Sequence, residues 1–374
     1  MANILIDLTQ IPSVKTGVAI YAKGYLSKLK DTENQYYLLI QKDETDYDVY
    51  QNSNISLIRL KSKLFRNIFL RTLIEQLYIP YLSIKLKINI VHSMHYSFPF
   101  LLFCKRLISV HDMTFFLYPE YHLKVKVLYF RFFIRLIPYF AHKIVFVSKS
   151  TQNDFLRYFP NTKKSKIMQI YVGIDNDVNI RDKDVNDVLS KNSLEHKKYI
   201  LFIGTIEPRK NLAGLLSAFS KYCMHNDNIN LAIIGMIGWK YDNHFKDLDS
   251  SVLKRIKMLG YVSEVEKSII LSNSLIFIYP SFYEGFGIPI LEAMINRVPV
   301  ITSNISSMPE VIGDTGILIE PTKEESITDA MIKLTNNSEL RKDLISRAEK
   351  RSKLFSGENA CKQYIDLYNR IINE

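Results

Sequence analysis

The sequence contains few cysteines and no apolar run long enough to span a membrane. Its three cysteines lie far apart along 374 residues and form neither a zinc-ligand spacing nor a disulfide framework. The longest uncharged stretch, residues 88–104, includes two histidines, an asparagine and a proline, whereas a spanning helix needs about 20 mainly apolar residues. These absences predict a cytoplasmic protein without a transmembrane helix.

Glycine and proline are also scarce, with 13 and 12 residues respectively. Such low numbers exclude a collagen-like or low-complexity chain. Hydrophobic residues make up 47% of the sequence, which is enough for a sizeable core. Because one domain typically takes about 100–200 residues, the length predicts two domains or one large one.

Acidic residues are nearly missing from residues 51–150, which contain 15 lysines and arginines but 3 aspartates and glutamates. This imbalance accounts for the net charge of +11 of the whole chain. It indicates an anionic partner, which could be a nucleic acid, an anionic membrane surface or a phosphorylated ligand. No recognised nucleic-acid-binding motif is present, so we expect no nucleic acid partner.

Short β-rich runs alternate with amphipathic helical patterns along the chain, which predicts an α/β protein with parallel sheets. Residues 1–175 are predicted to form one doubly wound domain and residues 199–356 a second. The polar residues 176–198 are interpreted as the linker between them. Two such domains bind a ligand in the cleft between them, at the carboxyl ends of their strands.

A glycine-containing loop with a glutamate joins a strand to a helix at residues 280–294. Glu284 lies in this loop, and Glu292 follows eight residues later inside the helix. Carboxylates at these positions could accept hydrogen bonds from sugar hydroxyls. The alternative is an ordinary turn whose acid complements the helix dipole.

A second such loop, residues 204–212, carries Arg209 and Lys210 at the expected start of a helix. The helix dipole disfavours cations at this end, and a bound phosphate would remove the conflict. Arginine would hold the phosphate as a bidentate fork and lysine as a point charge. The alternative is a pair of solvated cations in a surface loop.

Together these segments resemble the retaining glycosyltransferases of family 4, which have the GT-B fold of two Rossmann-like domains and an interdomain cleft. The resemblance includes the branch of bacterial O-antigen and capsule mannosyltransferases and covers almost the whole chain. It rests on five motifs in the family's order: Val110–Met113, Phe146–Ser150, Gly204–Asn211, Gly235–Asp242 and the Glu284-x7-Glu292 signature.

The resemblance implies that residues 1–175 bind the acceptor and residues 199–356 the nucleotide sugar, and it gives several residues roles in donor binding. Arg209 and Lys210 would bind the donor diphosphate, Glu284 would face the transferred sugar, and Glu292 would bind the ribose hydroxyls. The sugar would also meet the backbone N–H groups of Gly285, Phe286 and Gly287.

The first domain would contribute His111, beside the anomeric centre, and Gly17, which lets its loop approach the diphosphate. The last helix, within residues 357–374, would pack back on the first domain. Two positions depart from the family pattern. Family members often have further glycines beside Gly17, and Met236 stands where glycine is usual.

Four Asp-x-Asp pairs could recruit a divalent metal if one of them ended a strand. Three lie in polar or helical stretches, and the pair at residues 175–177 opens the linker. We interpret all four as solvated acids, and therefore expect no metal and no cofactor besides the nucleotide-sugar substrate.

Aromatic and basic residues interleave in residues 121–143, and residues 64–87 have a similar character. Helices of this kind can lie in an anionic membrane interface. The alternative is that their aromatic side chains pack in the core of the first domain.

The sequence therefore predicts a retaining, metal-independent hexosyltransferase, with mannose from GDP-mannose as the expected donor. The expected acceptor is a lipid-linked oligosaccharide or polysaccharide in cell-surface glycan synthesis, at the inner face of the plasma membrane. A nucleotide-sugar epimerase with this fold and a catalytically inactive scaffold are the alternatives.

Overall fold

The computed structural model describes residues 2–10, 17–29, 33–61, 68–175, 182–238, 245–246 and 248–374. The chain divides into two compact units, one formed by Met1–Ile174 with Phe355–Glu374 and the other by Asp175–Leu354. Part of the loop before Gly17, part of the predicted linker and the end of the Gly235–Asp242 motif lie outside the described residues. The predicted α/β class is confirmed in both units.

The first unit contains a parallel sheet of seven strands among its described residues, in the order β3-β2-β1-β4-β5-β6-β7. Strands β2 and β3 thus lie on one side of β1, and strands β4 to β7 lie on its other side. The strands are β1 Asn3–Asp7, β2 Gln35–Gln41, β3 Ile55–Leu60, β4 Ile90–Ser93, β5 Lys105–Val110, β6 Lys143–Phe146 and β7 Ile167–Gln169.

Helices cover this sheet, and a π-helical segment, Ile74–Tyr78, joins two of them into a continuous rod. Parallel strands covered on both faces are buried throughout, as β4 and β6 are here. The helices are α1 Gly17–Leu26, α2 Ile68–Leu73, α3 Ile79–Lys85, α4 Thr114–Leu117, α5 Lys124–Phe140 and α6 Lys149–Tyr158.

The second unit has a parallel sheet of six strands in its described residues, in the order β10-β9-β8-β11-β12-β13. Strands β9 and β10 lie on one side of β8, and strands β11 to β13 lie on its other side. We call the place between β8 and β11, where the strand order reverses, the switch point of the sheet. The strands are β8 Tyr199–Ile203, β9 Asn230–Ile234, β10 Ile256–Gly260, β11 Ile276–Tyr279, β12 Val300–Ser303 and β13 Ile317–Ile319.

One helix of the second unit lies in the segment interpreted as a polar linker, 176–198. It buries Leu189, and the turn after it buries Leu194, so the polar composition of the segment concealed a packed element. The helices of this unit are α7 Asp182–Lys191, α8 Leu212–Cys223, α9 Ser250–Lys254, α10 Glu264–Ser272, α11 Ile288–Ile295, α12 Met308–Ile312, α13 Glu324–Asn336 and α14 Ser338–Ser352.

The last helix, α15 Gly357–Asn373, belongs to the first unit. Its buried Tyr364 stacks on Tyr25 of α1, with ring centroids 4.3 Å apart. Its Tyr368 hydroxyl lies 2.7 Å from Nδ1 of His92. Because these contacts are buried and partly polar, they fix the register of α15 on the unit.

Two neighbouring helical segments of the first unit each expose a row of apolar side chains. Along α5, buried Phe130 and Phe133 face the core, while Val125, Leu128 and Phe132 are more than half exposed. A second exposed stripe follows the rod from α2 to α3 at spacings of three or four residues. Its members are Leu70, Leu73, Leu77, Tyr81 and Ile84.

The two helices are in contact, since the hydroxyls of Thr72 and Tyr129 lie 3.2 Å apart. Among the described residues, none of the helices combines the length and the hydropathy that a membrane span requires. The alternative to a membrane interface, packing of the aromatic residues in the core, holds for one face of α5, and the other face remains exposed.

Two glycines set the distance between α1 and residues 173–174, where the chain leaves the first unit. A Cβ atom on Gly24 would lie 1.7 Å from the carbonyl oxygen of Gly173. A Cβ atom on Gly173 would lie 2.8 Å from that of Ala360 in α15. These three segments therefore pack backbone to backbone.

We predict that Gly24→Ala destabilises the protein, although alanine normally stabilises a helix interior by about 1 kcal/mol relative to glycine. The added methyl group meets a backbone oxygen that cannot rotate away, and overpacking of this kind costs about 1–3 kcal/mol. Urea unfolding followed by circular dichroism measures the change. Lys362→Ala, at an exposed position of α15, is the control and should have little effect. Unchanged or increased stability of Gly24→Ala would contradict the close contact.

Candidate functional site

Two loops of the second unit begin at the carboxyl ends of adjacent strands. The cation loop, residues 204–211, follows β8, and the acidic loop, residues 280–287, follows β11. These strands are hydrogen-bonded neighbours at the switch point, where the strand order of the sheet reverses. Doubly wound sheets bind their ligands at this point.

Asn211 ends the cation loop with a left-handed backbone conformation, at a φ of 55°. Its side-chain oxygen accepts a hydrogen bond from the Gly214 backbone and thereby caps α8. Its Nδ2 atom donates to the carbonyl of Pro321, at 2.7 Å. Asparagine tolerates this conformation and caps helices well, so it holds the preceding 3₁₀ turn, Pro208–Lys210, in place.

The cation loop is also attached to the loop after β9. The Ile206 backbone donates to the carbonyl of Met236, and the Gly238 backbone donates back to Ile206. A Cβ atom on Gly235 would lie 1.9 Å from the Gly204 carbonyl oxygen, so only glycine fits there. The Met236 side chain, at the position of a usual glycine, is half exposed.

Glu284 lies at the centre of the site, with 8% of its surface exposed. Its Oε1 atom accepts a hydrogen bond from Lys210 Nζ at 2.6 Å and lies 3.1 Å from Arg209 Nη1. The hydroxyl of Tyr279 donates to the same oxygen, at 3.0 Å. We call Glu284, Arg209, Lys210 and Tyr279 the Glu284 cluster.

Arg209 also contacts groups other than Glu284. Its Nη2 atom contacts Glu207 Oε1 at 2.5 Å, and Nη1 donates to the Tyr283 carbonyl at 2.7 Å. The expected conflict between these cations and a helix dipole is therefore resolved within the protein. Glu207 and Glu284 balance the charges of Arg209 and Lys210. From the sequence alone, the expected partner of these two cations is a phosphate or solvent.

The charges around Glu284 keep its carboxyl group ionised. Burial raises the pKa of Glu284, but the positive charges of Arg209 and Lys210 together outweigh burial and lower this pKa to about 2. Glu284 is thus a permanent hydrogen-bond acceptor at neutral pH.

Serine side chains after β12 hold the backbone of the acidic loop. Ser306 Oγ donates to the Glu284 carbonyl at 2.6 Å, and Ser307 Oγ lies 2.9 Å from both the Glu284 and Phe286 carbonyl oxygens. Sequence reasoning missed these residues. The serine-rich stretch 303–307 was a visible signal, but its target lies some 20 residues earlier in the chain.

Gly285, Phe286 and Gly287 form the short connection from Glu284 to α11. Phe286 is buried, and Gly287 adopts a left-handed φ of 101°. Pro289 occupies the first turn of α11, as its fixed φ favours. The first residue of α11, Ile288, thus lies four residues after Glu284.

The structure places Glu292 with a different cation. It lies on α11, and its Oε1 atom accepts from Lys267 Nζ of α10 at 2.9 Å. Lys267 also contacts Glu264, at 2.8 Å. Burial raises the pKa of Glu292, and the charge of Lys267 opposes this shift. The sequence analysis did not identify Lys267.

In the first unit, His111 follows β5 and is held by the backbone. Its Nε2 atom lies 2.8 Å from the Met94 carbonyl, which can only accept, so Nε2 carries the proton. The Tyr21 ring packs edge-on against it, with ring centroids 4.9 Å apart. Burial lowers the pKa of His111, which leaves Nδ1 unprotonated at neutral pH.

Gly17 is the exposed first residue of α1. The preceding loop residues, 11–16, lie outside the described part of the chain. Within the described residues, no group of three histidine, cysteine, aspartate or glutamate side chains is placed to hold a metal ion.

Known proteins match both units. Residues 186–351 match the family model described as glycosyl transferases group 1, and residues 16–178 match glycosyltransferase family 4. O-antigen chain mannosyltransferase B of Escherichia coli is 34% identical over 263 residues, which cover 70% of this chain and 69% of that protein. O-antigen chain mannosyltransferase RfbU of Salmonella typhimurium is 26% identical over 350 residues, or 92% and 93% of the two chains.

A solved structure is similar over nearly the whole length. Anabaena HepE, in complex with UDP, superposes with a TM-score of 0.75 at 15% identity and covers 99% of this chain and 100% of its own. At this level of identity, the similarity establishes the shared GT-B fold.

The lowered pKa of Glu284 predicts an acid-dependent loss of stability. The carboxylate stabilises the fold fully above its usual pKa of 4.5, and this contribution disappears as the pH falls towards about 2. By linkage the loss is on the order of 3 kcal/mol. Glu284→Gln should unfold more easily at pH 7 and show a shallower decline between pH 4.5 and 2, measured by urea unfolding.

Glu339→Gln is the matched control for this prediction. Glu339 also pairs with a lysine, Lys342, at 2.8 Å in the second unit, but it is 79% exposed. Exposed pairs contribute little, so the control should follow the wild type. Parallel curves for Glu284→Gln and wild type would show that the buried pair carries no such linkage.

Proposed function

The chain belongs to the glycosyltransferases with the GT-B fold, and we propose that it transfers mannose from GDP-mannose to a lipid-linked saccharide with retention of the anomeric configuration. The observation that carries this proposal is the Glu284 cluster. It combines an ionised carboxylate with two cations at the switch point of the second sheet. A nucleotide sugar presents hydroxyls to the carboxylate and a diphosphate to the cations.

The choice of donor is supported by the relatives. Both O-antigen proteins described above are named as mannosyltransferases, and one of them is 34% identical to this chain. HepE, which shares the fold, is named in complexes with UDP and with UDP-glucose. We therefore propose a nucleotide-sugar donor, with GDP-mannose as the first candidate.

The reaction requires that the bond between the anomeric carbon and the diphosphate oxygen break. Negative charge then accumulates on the leaving diphosphate, and Arg209 and Lys210 stabilise this charge electrostatically. Because both side chains are already positioned by Glu207, Glu284 and Tyr283, little reorganisation is needed. These two fixed cations supply the charge compensation, so we propose that transfer does not depend on a metal ion.

The acceptor hydroxyl forms the new bond on the same face and gives its proton to the leaving diphosphate. Glu284 remains ionised and accepts hydrogen bonds from the sugar hydroxyls. We assign Glu292 to the ribose hydroxyls. His111 is assigned to the transferred sugar, where its unprotonated Nδ1 can accept a hydrogen bond.

The donor site is tested by calorimetry with GDP, UDP, ADP and dTDP in the presence of EDTA. We expect one nucleoside diphosphate, first GDP, to bind saturably without a metal. Arg209→Ala should weaken this binding about 10- to 100-fold, since hydrogen bonds to charged groups contribute about 1.5–3 kcal/mol each. Arg347→Ala is the control, because Arg347 also pairs with acids in the second unit, Asp343 and Asp314.

Three outcomes would contradict parts of the proposal. Binding that requires a divalent cation would exclude metal independence. Selective binding of UDP would exclude GDP-mannose as the donor. The absence of binding to every nucleotide would favour the inactive scaffold over the enzyme.

The exposed apolar stripes support association with an anionic membrane. Val125, Leu128, Phe132 and Tyr139 are spaced along one side of α5, and exposed Arg135 lies between the last two. The neighbouring rod α2–α3 adds its own apolar stripe. Apolar side chains bordered by cations insert at the level of lipid headgroups. A lipid-linked acceptor would be presented at such a surface.

Vesicle flotation tests this interaction. With vesicles of phosphatidylglycerol and phosphatidylethanolamine, the double variant Leu128→Asp/Phe132→Asp should lose at least ten-fold in bound fraction. Each aspartate removes buried apolar area and adds repulsion from anionic lipid. The control is Met224→Asp/Tyr261→Asp, which alters two exposed apolar residues of the second unit. Equal flotation of the two double variants would contradict a membrane role for α5.

A further inference from the structure

A second group of polar side chains lies at the switch point of the first unit's sheet. The strand order reverses between β1 and β4, which are neighbours in the sheet. Their last residues, Asp7 and Ser93, are paired in register. Gln10 follows the first strand and His95 the second. This position corresponds to that of the Glu284 cluster in the other unit, because ligands of doubly wound sheets bind at the carboxyl ends of such strands.

The rod α2–α3 supplies Arg71 and Glu75, one helical turn apart. Glu75 is only 3% exposed and lies in the π-helical segment, a feature that frequently marks functional positions. Its Oε2 atom is 3.5 Å from Gln10 Nε2, which also donates to Ser97 at 2.7 Å. We call Gln10, Arg71, Glu75, Ser93 and His95 the Glu75 cluster.

Among the described residues, no hydrogen-bond partner is present for at least one buried polar atom of each member of the Glu75 cluster. Leaving such atoms unpaired costs free energy, so native proteins rarely concentrate them in one place. A bound molecule that supplies the missing partners accounts for their concentration here. The atoms are Gln10 Oε1, Arg71 Nε and Nη2, Glu75 Oε1, Ser93 Oγ and His95 Nδ1.

Nearby polar side chains with a structural role have their partners. Arg106 donates from Nε to the Pro99 carbonyl at 2.9 Å and from Nη2 to Phe100 at 2.6 Å. Gln76, next to Glu75, bonds the Phe98 carbonyl through Nε2 and the Phe100 backbone through Oε1. Single unpaired atoms occur elsewhere among the described residues, as at Gln169 and Arg347, but the Glu75 cluster concentrates six of them.

The chemistry of these atoms selects the type of ligand. Arginine nitrogens donate, and the oxygens of Gln10 and Glu75 accept, so the ligand needs both donors and acceptors. The charge of Asp7 disfavours an anion. Burial, and then the charge of Asp7, raise the pKa of Glu75 to about 8, with Arg71 opposing, so this carboxyl group is largely neutral at pH 7.

Aromatic rings border the cluster on one side. The His95 ring lies 4.6 Å from that of Tyr96 and 4.9 Å from that of Phe130, measured between centroids. The Arg71 guanidinium lies 5.5 Å from the centre of the Tyr129 ring. Polar groups beside aromatic faces suit a sugar, which has hydroxyls at its edge and apolar C–H groups on its faces.

We propose that the Glu75 cluster is the subsite that binds a neutral sugar residue of the glycosyl acceptor. Sugar hydroxyls would donate to Gln10 and Glu75 and accept from Arg71. The inference rests on the proposed function, since it identifies the chemistry of the acceptor for that reaction. It concerns residues of the first unit and none of those assigned to the donor.

Saturation-transfer NMR with methyl glycosides tests the subsite on the full chain. The probes are the methyl pyranosides of mannose, glucose, galactose and N-acetylglucosamine, each as both anomers, with inorganic phosphate titrated separately by calorimetry. At least one glycoside should give a signal with the wild type. Glu75→Gln and Arg71→Met should each reduce this signal at least five-fold. Binding of GDP, measured in the same preparations, should stay within two-fold of wild type.

Glu33→Gln and Arg157→Met are the matched controls, since both residues are exposed in the first unit. Both should retain the wild-type signal. Equal signals in all variants, or no signal with any glycoside, would overturn the proposal even if the nucleotide binds. Phosphate binding that is lost in Arg71→Met would also overturn it, in favour of an anionic ligand. Failure of the wild type to bind any nucleotide would instead count against the donor site.

Thermal unfolding distinguishes a binding role of Glu75 from a structural one. Because burial raises its pKa, Glu75 costs stability increasingly as the pH rises from 4.5 to about 8, in the presence of Asp7, Arg71 and His95. Glu75→Gln should therefore unfold at a higher temperature than wild type at pH 8, with a smaller difference at pH 4.5. A lower unfolding temperature at pH 8 would show that the carboxyl group supports the fold and would overturn the proposal.

Discussion

The buried carboxylate of Glu284 constrains much of the second unit. A charge with so little exposure is tolerated only when it is paired and hydrogen-bonded, and Arg209 and Lys210 meet this requirement from a loop more than 70 residues earlier. The cation loop and the acidic loop must therefore lie together, which requires that β8 and β11 be neighbours. The left-handed Asn211 and the serines after β12 serve the same end, since they fix the backbone on either side of the pair.

The two units use the same topological position for different chemistry. In the second unit, the switch point carries a balanced set of charges, with both cations held by carboxylates before any ligand arrives. In the first unit, the Glu75 cluster has buried donors and acceptors that find no partner in the described part of the chain. A network of charges that is already paired suits a diphosphate leaving group, because its electric field is oriented before the ligand binds. Unpaired donors and acceptors suit a ligand that brings its own hydroxyls.

The sequence predicted the principal elements and part of the site. Arg209, Lys210 and Glu284 stand in loops between a strand and a helix, and the structure brings them together. Two of their partners could not be predicted in the same way, since Tyr279 reaches Lys210, and Ser306 reaches Glu284, only when segments distant in sequence meet. His95 and Glu75 belong to no motif, and only their burial without partners distinguishes them. Likewise, the apolar spacing of α5 was visible, but which of its faces is covered depends on the packing.

The most direct test of the account is a crystal structure with a nucleoside diphosphate bound. The account predicts diphosphate oxygens within hydrogen-bond distance of Arg209 and Lys210, while Glu284 still accepts a hydrogen bond from Lys210. It also predicts a ribose that contacts Glu292. A nucleotide bound elsewhere, with Arg209 and Lys210 paired only to Glu207 and Glu284, would show that the cluster is a structural ion pair and would contradict the central claim.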